Sequence, residues 1–155
     1  MMAQEVSFRP AAKADLSAII RLIADDGLGR GREDVSEPIN PRYLEAFRAV
    51  AADPNQLLVA VERAGTVVGT FQLSFIPGVS RLGSWRGQIE AVRVAASERG
   101  TGLGGQMMEW AIAECRRRGC SLVQLTSDKS RGDAHRFYER LGFKASHEGF
   151  KLTLD

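Results

Sequence analysis

Four glycines crowd the stretch Glu98-Arg99-Gly100-Thr101-Gly102-Leu103-Gly104-Gly105. An alternating run, Gln88-Ile89-Glu90-Ala91-Val92-Arg93-Val94, precedes it and reads as a strand. An amphipathic run follows. There Leu103, Met107, Met108, Ala111, Ile112 and Cys115 share one half of a helical wheel, opposite Gln106, Glu109, Arg116 and Arg117. Strand, glycine turn and helix in that order constrain this chain more than any other feature. Glycines at a helix start leave backbone N–H groups facing outward with no side chain in the way. With the helix dipole they favour an anion, above all a phosphate. The competing reading is a helix that merely packs closely on its sheet, and four glycines in six residues tell against it.

The elements on either side extend the pattern. Val6-Ser7-Phe8-Arg9 alternates up to Pro10, and Leu16, Ile19, Ile20 and Ile23 recur at helical spacing. That first helix has no Ser or Thr cap at Ala12, but Asp15 stands in its first turn, where a carboxylate suits the dipole. The segment Gly27–Glu37 is glycine- and arginine-rich and reads as a loop. Asn40 as N-cap with Pro41 behind it opens a second helix that closes before Asp53-Pro54. Leu57–Val61 and Thr66–Phe71 flank a hairpin turn at Ala64-Gly65.

Ser121–Thr126 reads as a further strand, in the βαβ position. Ser130 with Asp133 forms a capping box for a helix carrying Ala134, Phe137, Tyr138 and Leu141. Gly142 ends that helix, and short strands are expected near Phe143-Lys144 and Phe150–Thr153. The order predicts one α/β domain over residues 1–155 with a mixed central sheet flanked by helices.

Composition narrows the function classes. The chain has 155 residues, 44% hydrophobic and 26% charged, enough for a buried core without disulfides or metal. A net charge of +2 lacks the basic stripe of a nucleic-acid binder, and Arg116-Arg117-Arg118 reads as the basic end of a helix. No apolar run approaches the ~20 residues of a membrane span, and Met1–Glu5 has no signal-peptide pattern. Cys115 and Cys120 form no CxxC pair, and His135 and His147 stand far apart, so no metal site is expected. The expected setting is cytoplasmic, with no nucleic-acid or membrane partner.

Two phosphate-binding patterns bear on the turn. Gly100-x-Gly102-x-x-Gly105 matches the dinucleotide fingerprint in form, but five residues separate it from the strand end near Val94. The next strand ends in Thr126-Ser127 where an acidic ribose partner belongs. A Walker loop is excluded because no Gly-Lys-Ser/Thr follows.

Arg99-x-x-Gly102-x-Gly104 after Val92-Arg93-Val94 resembles the acyl-CoA-binding signature of the GNAT N-acetyltransferases. Phe137-Tyr138-Glu139-Arg140-Leu141-Gly142-Phe143, about 35 residues on, is similar to that family's second hallmark. The element order fits as well, so the resemblance covers essentially the whole chain. It implies a GNAT-like fold whose parallel strands, ending at Val94 and Thr126, splay apart. It also implies acetyl-CoA as co-substrate, a small-molecule amine as acceptor and a homodimer. The N–H groups from Arg99 through Gly100, Thr101, Gly102, Leu103, Gly104 and Gly105 would hold the pyrophosphate. The backbone of Val92, Arg93 and Val94 would pair with the pantetheine arm. Arg131 stands where the family often has an asparagine contacting the cofactor.

Acetyl transfer to an amine needs a base and an acid. A lysine-like amine of pKa ~10.4 is free base in about one molecule in a few thousand at pH 7. Glu90 is the candidate base, expected to share a face with Val92 and Val94 by strand parity. A solvent-facing or structurally paired glutamate is the competing reading. Tyr138, protonated at neutral pH with an ordinary pKa of ~10, is the candidate acid for the departing thiolate. His135 reads as a surface residue, and the cysteines as packing residues. Trp85 and Trp110 fit either a site or a dimer surface. Arg30 and Arg32 in the loop would suit an acidic acceptor or simply face solvent. Two other functions remain open: a non-catalytic acyl-CoA-binding module, and acetylation of a protein amine.

Overall fold

The computed structural model describes residues 5–26 and 31–155, so the readings placed on Met1–Gln4 and on Arg30 lie outside the described residues. The first half runs β1 (Val6–Pro10), a 3-10 turn (Lys13–Asp15), α1 (Leu16–Ala24), α2 (Pro41–Ala52), β2 (Gln56–Arg63) and β3 (Thr66–Pro77). The second half runs α3 (Ser80–Gly83), β4 (Trp85–Val94), a 3-10 turn (Ala96–Glu98), α4 (Leu103–Arg117), β5 (Cys120–Leu125) and α5 (Gly132–Arg140). The expected helices, the hairpin at Ala64-Gly65 and the strand–turn–helix unit all form. Strand β3 runs six residues past the expected Phe71. Asn40 caps α2 as its sequence promised, accepting from the Arg42 N–H.

The sheet has the order β1-β2-β3-β4-β5. The first three pairings are antiparallel, and the crossover through α4 brings β5 beside β4 to make the sheet mixed. By its contacts the chain divides into two compact units, Met1–Gln124 and Leu125–Asp155.

In the first unit the two faces of the sheet differ in kind. Phe71, Leu73 and Phe75 of β3 and Ile89 of β4 are buried on one face. Helix α4 covers it with Leu103, Met107, Met108, Ala111 and Cys115. Trp110 of α4, half-buried, stacks on Phe8 at 5.4 Å and meets Phe71 at 5.9 Å, which makes it a packing residue at the edge of this core. Two glycines admit the helix: a Cβ at Gly69 would meet Met107 Sδ at 2.9 Å, and one at Gly87 would overlap Cys115 Sγ.

Helix α1 is fastened to the opposite face at both ends. At its start, Arg9 donates to both Asp15 oxygens at 2.6 and 2.9 Å, and the Ala12 N–H adds a bond of 2.7 Å. Arg9 thereby holds the Asp15 carboxyl below the ordinary carboxylate range, against the opposing effect of burial. At its far end, Arg93 of β4 pairs with Asp26 at 2.9 Å. The first-turn carboxylate serves a half-buried ion pair more than the helix dipole.

The second unit corrects two expectations. Ser130 bonds Asp128 and Asp133 pairs with Arg136, so no capping box forms, and Arg131 occupies the N-cap without a side-chain cap. The strands expected near Phe143-Lys144 and Phe150–Thr153 are absent. Phe150, Leu152 and Leu154 are 91%, 86% and 84% exposed. Alternation makes a segment eligible for a sheet, but a strand exists only when an edge accepts its hydrogen bonds, and here none does among the described residues.

Candidate active site

Glycine dihedrals shape the turn after β4. Gly100 and Gly102 have φ of +78° and +82°, the left-handed region that other residues rarely adopt. A Cβ at Gly100, Gly102 or Gly105 would meet nothing within 4 Å, so the surface over the turn is open. The first N–H of α4 to reach a carbonyl is that of Gln106, on Gly102 at 3.2 Å. The Leu103 N–H has only a long contact, 3.4 Å, to the Thr101 hydroxyl. Among the described residues, nothing accepts from the N–H groups of Gly104 and Gly105. Open backbone donors at the N-terminus of a 15-residue helix fit a pyrophosphate group. Close packing does not explain Gly100, Gly102 or Gly105; it explains Gly69 and Gly87. Arg99, at the mouth of the turn, is exposed.

Strand β4 carries a bulge that sequence parity did not reveal. Gln72 of β3 faces Glu90, and Thr70 faces Arg93, so Ala91 and Val92 together oppose Phe71. Ala91 takes φ +54° to allow it. An extra residue reverses the alternation. Glu90 therefore shares a face with Arg93, while Val94, opposite Gly69, turns to the α4 side. The expectation that Glu90 and Val94 share a face is corrected. Arg93 also donates to the Val92 carbonyl at 2.9 Å, so that carbonyl already has a partner beside the Asp26 ion pair.

Glu90 itself is exposed and held by an amide chain. Gln88 donates to Glu90 Oε1 at 2.5 Å, and its own carbonyl accepts from Gln124 of β5 at 2.9 Å. On the same face, Gln56 Oε1 accepts from Gln72 at 3.0 Å and from Ser74 at 2.8 Å. These partners were missed in the sequence. The alternation of Thr70, Gln72 and Ser74 with Phe71, Leu73 and Phe75, which continues past the expected strand end at Phe71, carries the signal.

Tyr138 and Arg131 belong to the second unit. Helix α5 closes in a Schellman motif: Gly142, at φ +99°, donates to the Glu139 carbonyl at 3.0 Å, and Phe143 reaches back to the Tyr138 carbonyl at 3.1 Å. This turn sets the Phe143 ring edge-on to Tyr138 at 6.0 Å, with Phe137 tilted at 5.3 Å on the other hand. The glycine of that hallmark thus fixes the tyrosine ring. His135 contacts the Asp128 carbonyl at 2.8 Å, a surface role. Burial pushes the Cys115 thiol up to about 12, which leaves it inert at neutral pH. Among the described residues no three His, Cys, Asp or Glu side chains gather as metal ligands, and no helix is long and apolar enough to cross a membrane.

Known proteins match this chain over most of its length. The family model of the acetyltransferase (GNAT) family matches residues 20–143. An aminoalkylphosphonate N-acetyltransferase of Salmonella typhimurium is 36% identical over 72% of this chain and 72% of its own. A glucosamine 6-phosphate N-acetyltransferase of Trypanosoma brucei brucei is 37% identical over 58% of this chain and 59% of its own. A solved structure described as a transcriptional regulator from Bacillus halodurans C-125 superposes with a TM-score of 0.94 at 45% identity, covering 97% of this chain and all of that one. With the glycine turn and the order of elements, these matches place the chain in the GNAT acetyltransferase family, as an acyltransferase.

Proposed function

We propose that the protein moves the acetyl group of acetyl-CoA onto the primary amine of a small molecule, by direct attack within a ternary complex. The observation that carries this reading is the open glycine turn, whose unengaged N–H groups suit the cofactor's pyrophosphate. Acetyl-CoA supplies the activated acyl group; the chain supplies binding and proton movement. Backbone groups of Val92, Arg93 and Val94 align the pantetheine arm, and Arg131 adds a cation toward the cofactor.

Glu90 Oε atoms accept the amine proton through solvent, which the exposed position of Glu90 supports. The Gln88 and Gln124 amides keep that carboxylate in one orientation. The Tyr138 hydroxyl donates a proton to the departing sulfur, its ring held by Phe137 and Phe143. The reading takes residues 1–155 as one functional domain, working in the cytoplasm as a homodimer; light scattering tests the last point.

Both named relatives act on amines that carry a phosphonate or phosphate, and Arg32 of this chain is exposed in the segment before α2. Aminophosphonates and amino-sugar phosphates therefore lead the acceptor panel, followed by amino acids, polyamines, aminoglycosides and peptides. Release of free thiol from acetyl-CoA is the readout. Turnover with a small amine is expected; turnover with peptides alone replaces the acceptor class, and none with any amine favours a non-catalytic acyl-CoA module. In thermal melts, acetyl-CoA at a hundredfold excess over Kd should stabilise the protein by about 2.7 kcal/mol. NAD should not, and a shift with NAD alone would restore the dinucleotide reading.

A further inference from the structure

The cofactor turn is braced from outside by an ion pair. Arg63 ends β2, and Glu98 ends the 3-10 turn that follows β4. Arg63 Nε lies 3.2 Å from each carboxylate oxygen of Glu98, and its terminal nitrogen lies 3.0 Å from Oε1. Glu98 is buried at 9% exposure. The Thr101 hydroxyl donates to the Glu98 carbonyl at 2.7 Å and lies 3.3 Å from its Oε1, while the Thr101 N–H reaches the same carbonyl at 3.2 Å. The β2–β3 hairpin, through one arginine and one glutamate, thus fixes the residue between Gly100 and Gly102.

A carboxylate is an odd brace for a turn that receives phosphates. Buried two residues before Gly100, a bare anion would oppose the charge the turn has to accept. We infer that Arg63 is a positioning residue for cofactor binding, which neutralises Glu98 so that a buried carboxylate shapes the phosphate turn without repelling its ligand. The inference rests on the reading of the turn as the acetyl-CoA site. It distinguishes charge from shape. If the pair merely held the fold, losing either partner would harm binding alike. If Arg63 neutralises Glu98, losing the arginine is the worse change, and removing the carboxylate as well repairs it.

Calorimetric titration with CoA reads this directly, on Arg63→Gln, Glu98→Gln and the double variant, with unliganded melts to establish folding. Arg63→Gln should weaken CoA at least about tenfold, while Glu98→Gln and the double variant stay within about threefold of the parent. Arg63→Lys keeps the cation but loses the two-pronged contact, and it too should stay within about threefold. Equal losses in all the variants, no loss in Arg63→Gln, or a tenfold loss in Arg63→Lys overturns the inference and leaves the turn's assignment standing. A parent protein that does not bind CoA overturns the assignment itself, and the inference with it.

Discussion

The two faces of the central sheet use the same strands for opposite ends. On the α4 side, Phe71, Leu73, Phe75 and Ile89 are all at most 3% exposed, and the Arg118 guanidinium lies 4.1 Å over the Phe75 ring. On the other side the same two strands present Gln72, Ser74, Gln88 and Glu90, partly or fully exposed; Gln72 and Ser74 bond Gln56 of β2, and Gln88 bonds Glu90. The comparison teaches a division that period-2 alternation makes possible: one face is apolar and closed by α4, and the other keeps a row of polar side chains in reach of solvent beyond the α1 contact. The bulge at Ala91-Val92 then breaks that alternation near the end of β4, which moves Arg93 to the polar face and Val94 to the apolar one.

The largest expected effect separates the faces by activity. Glu90→Gln should lower kcat/KM by about 10²–10⁴-fold at neutral pH, the usual range for a general base. Its melt should stay within about 0.5 kcal/mol of the parent. Raising the pH supplies free amine and should partly rescue this variant, whereas Tyr138→Phe should lose at least about tenfold in kcat and gain nothing from alkaline solvent. If both variants turn over like the parent, the acid–base roles fall and backbone positioning alone remains.

The next effect is the converse, on stability. Leu73→Ala on the α4 side should destabilise by about 2–5 kcal/mol, measured by denaturant titration. A loss below 0.5 kcal/mol, roughly that of a surface change, would break the claim that this face holds the fold together.

A smaller effect lies where α1 joins the polar face. Because Arg9 depresses the Asp15 carboxyl, the pair contributes stability that is fully present above the ordinary carboxylate value of ~3.9 and is lost as pH falls through the lowered folded value. Asp15→Asn should therefore cost about 1.5–3 kcal/mol at pH 7, and the gap to the parent should close in strong acid. A gap that persists unchanged at pH 2, well below ~3.9, would show that shape rather than charge joins helix to sheet.

Much of this was legible in the sequence where the cause is local. The Asn40-Pro41 start of α2, the hairpin at Ala64-Gly65 and the Gly142 stop of α5 each follow from a residue's own dihedral or donor chemistry. The expected capping box at Ser130 failed because Asp128 and Arg136 were nearer partners for its two members. Gln124, Arg63 and Asp26 have partners distant in sequence, which no local pattern reveals: Gln124 lies 36 residues from Gln88, and Arg63 lies 35 from Glu98.

The sequence alone determined the glycine turn, because glycine adopts a left-handed backbone at little cost and leaves a helix start bare of side chains. It also determined which side chains are fit to move a proton. The tertiary structure decided which face each of them occupies. The bulge that turns Val94 away from Glu90 is a matter of register between β3 and β4, and the unpaired segment from Phe150 to Leu154 is a matter of whether any edge accepts it. Alternation is written in one strand, but a hydrogen-bonded register exists only between two, and no single segment of sequence contains it.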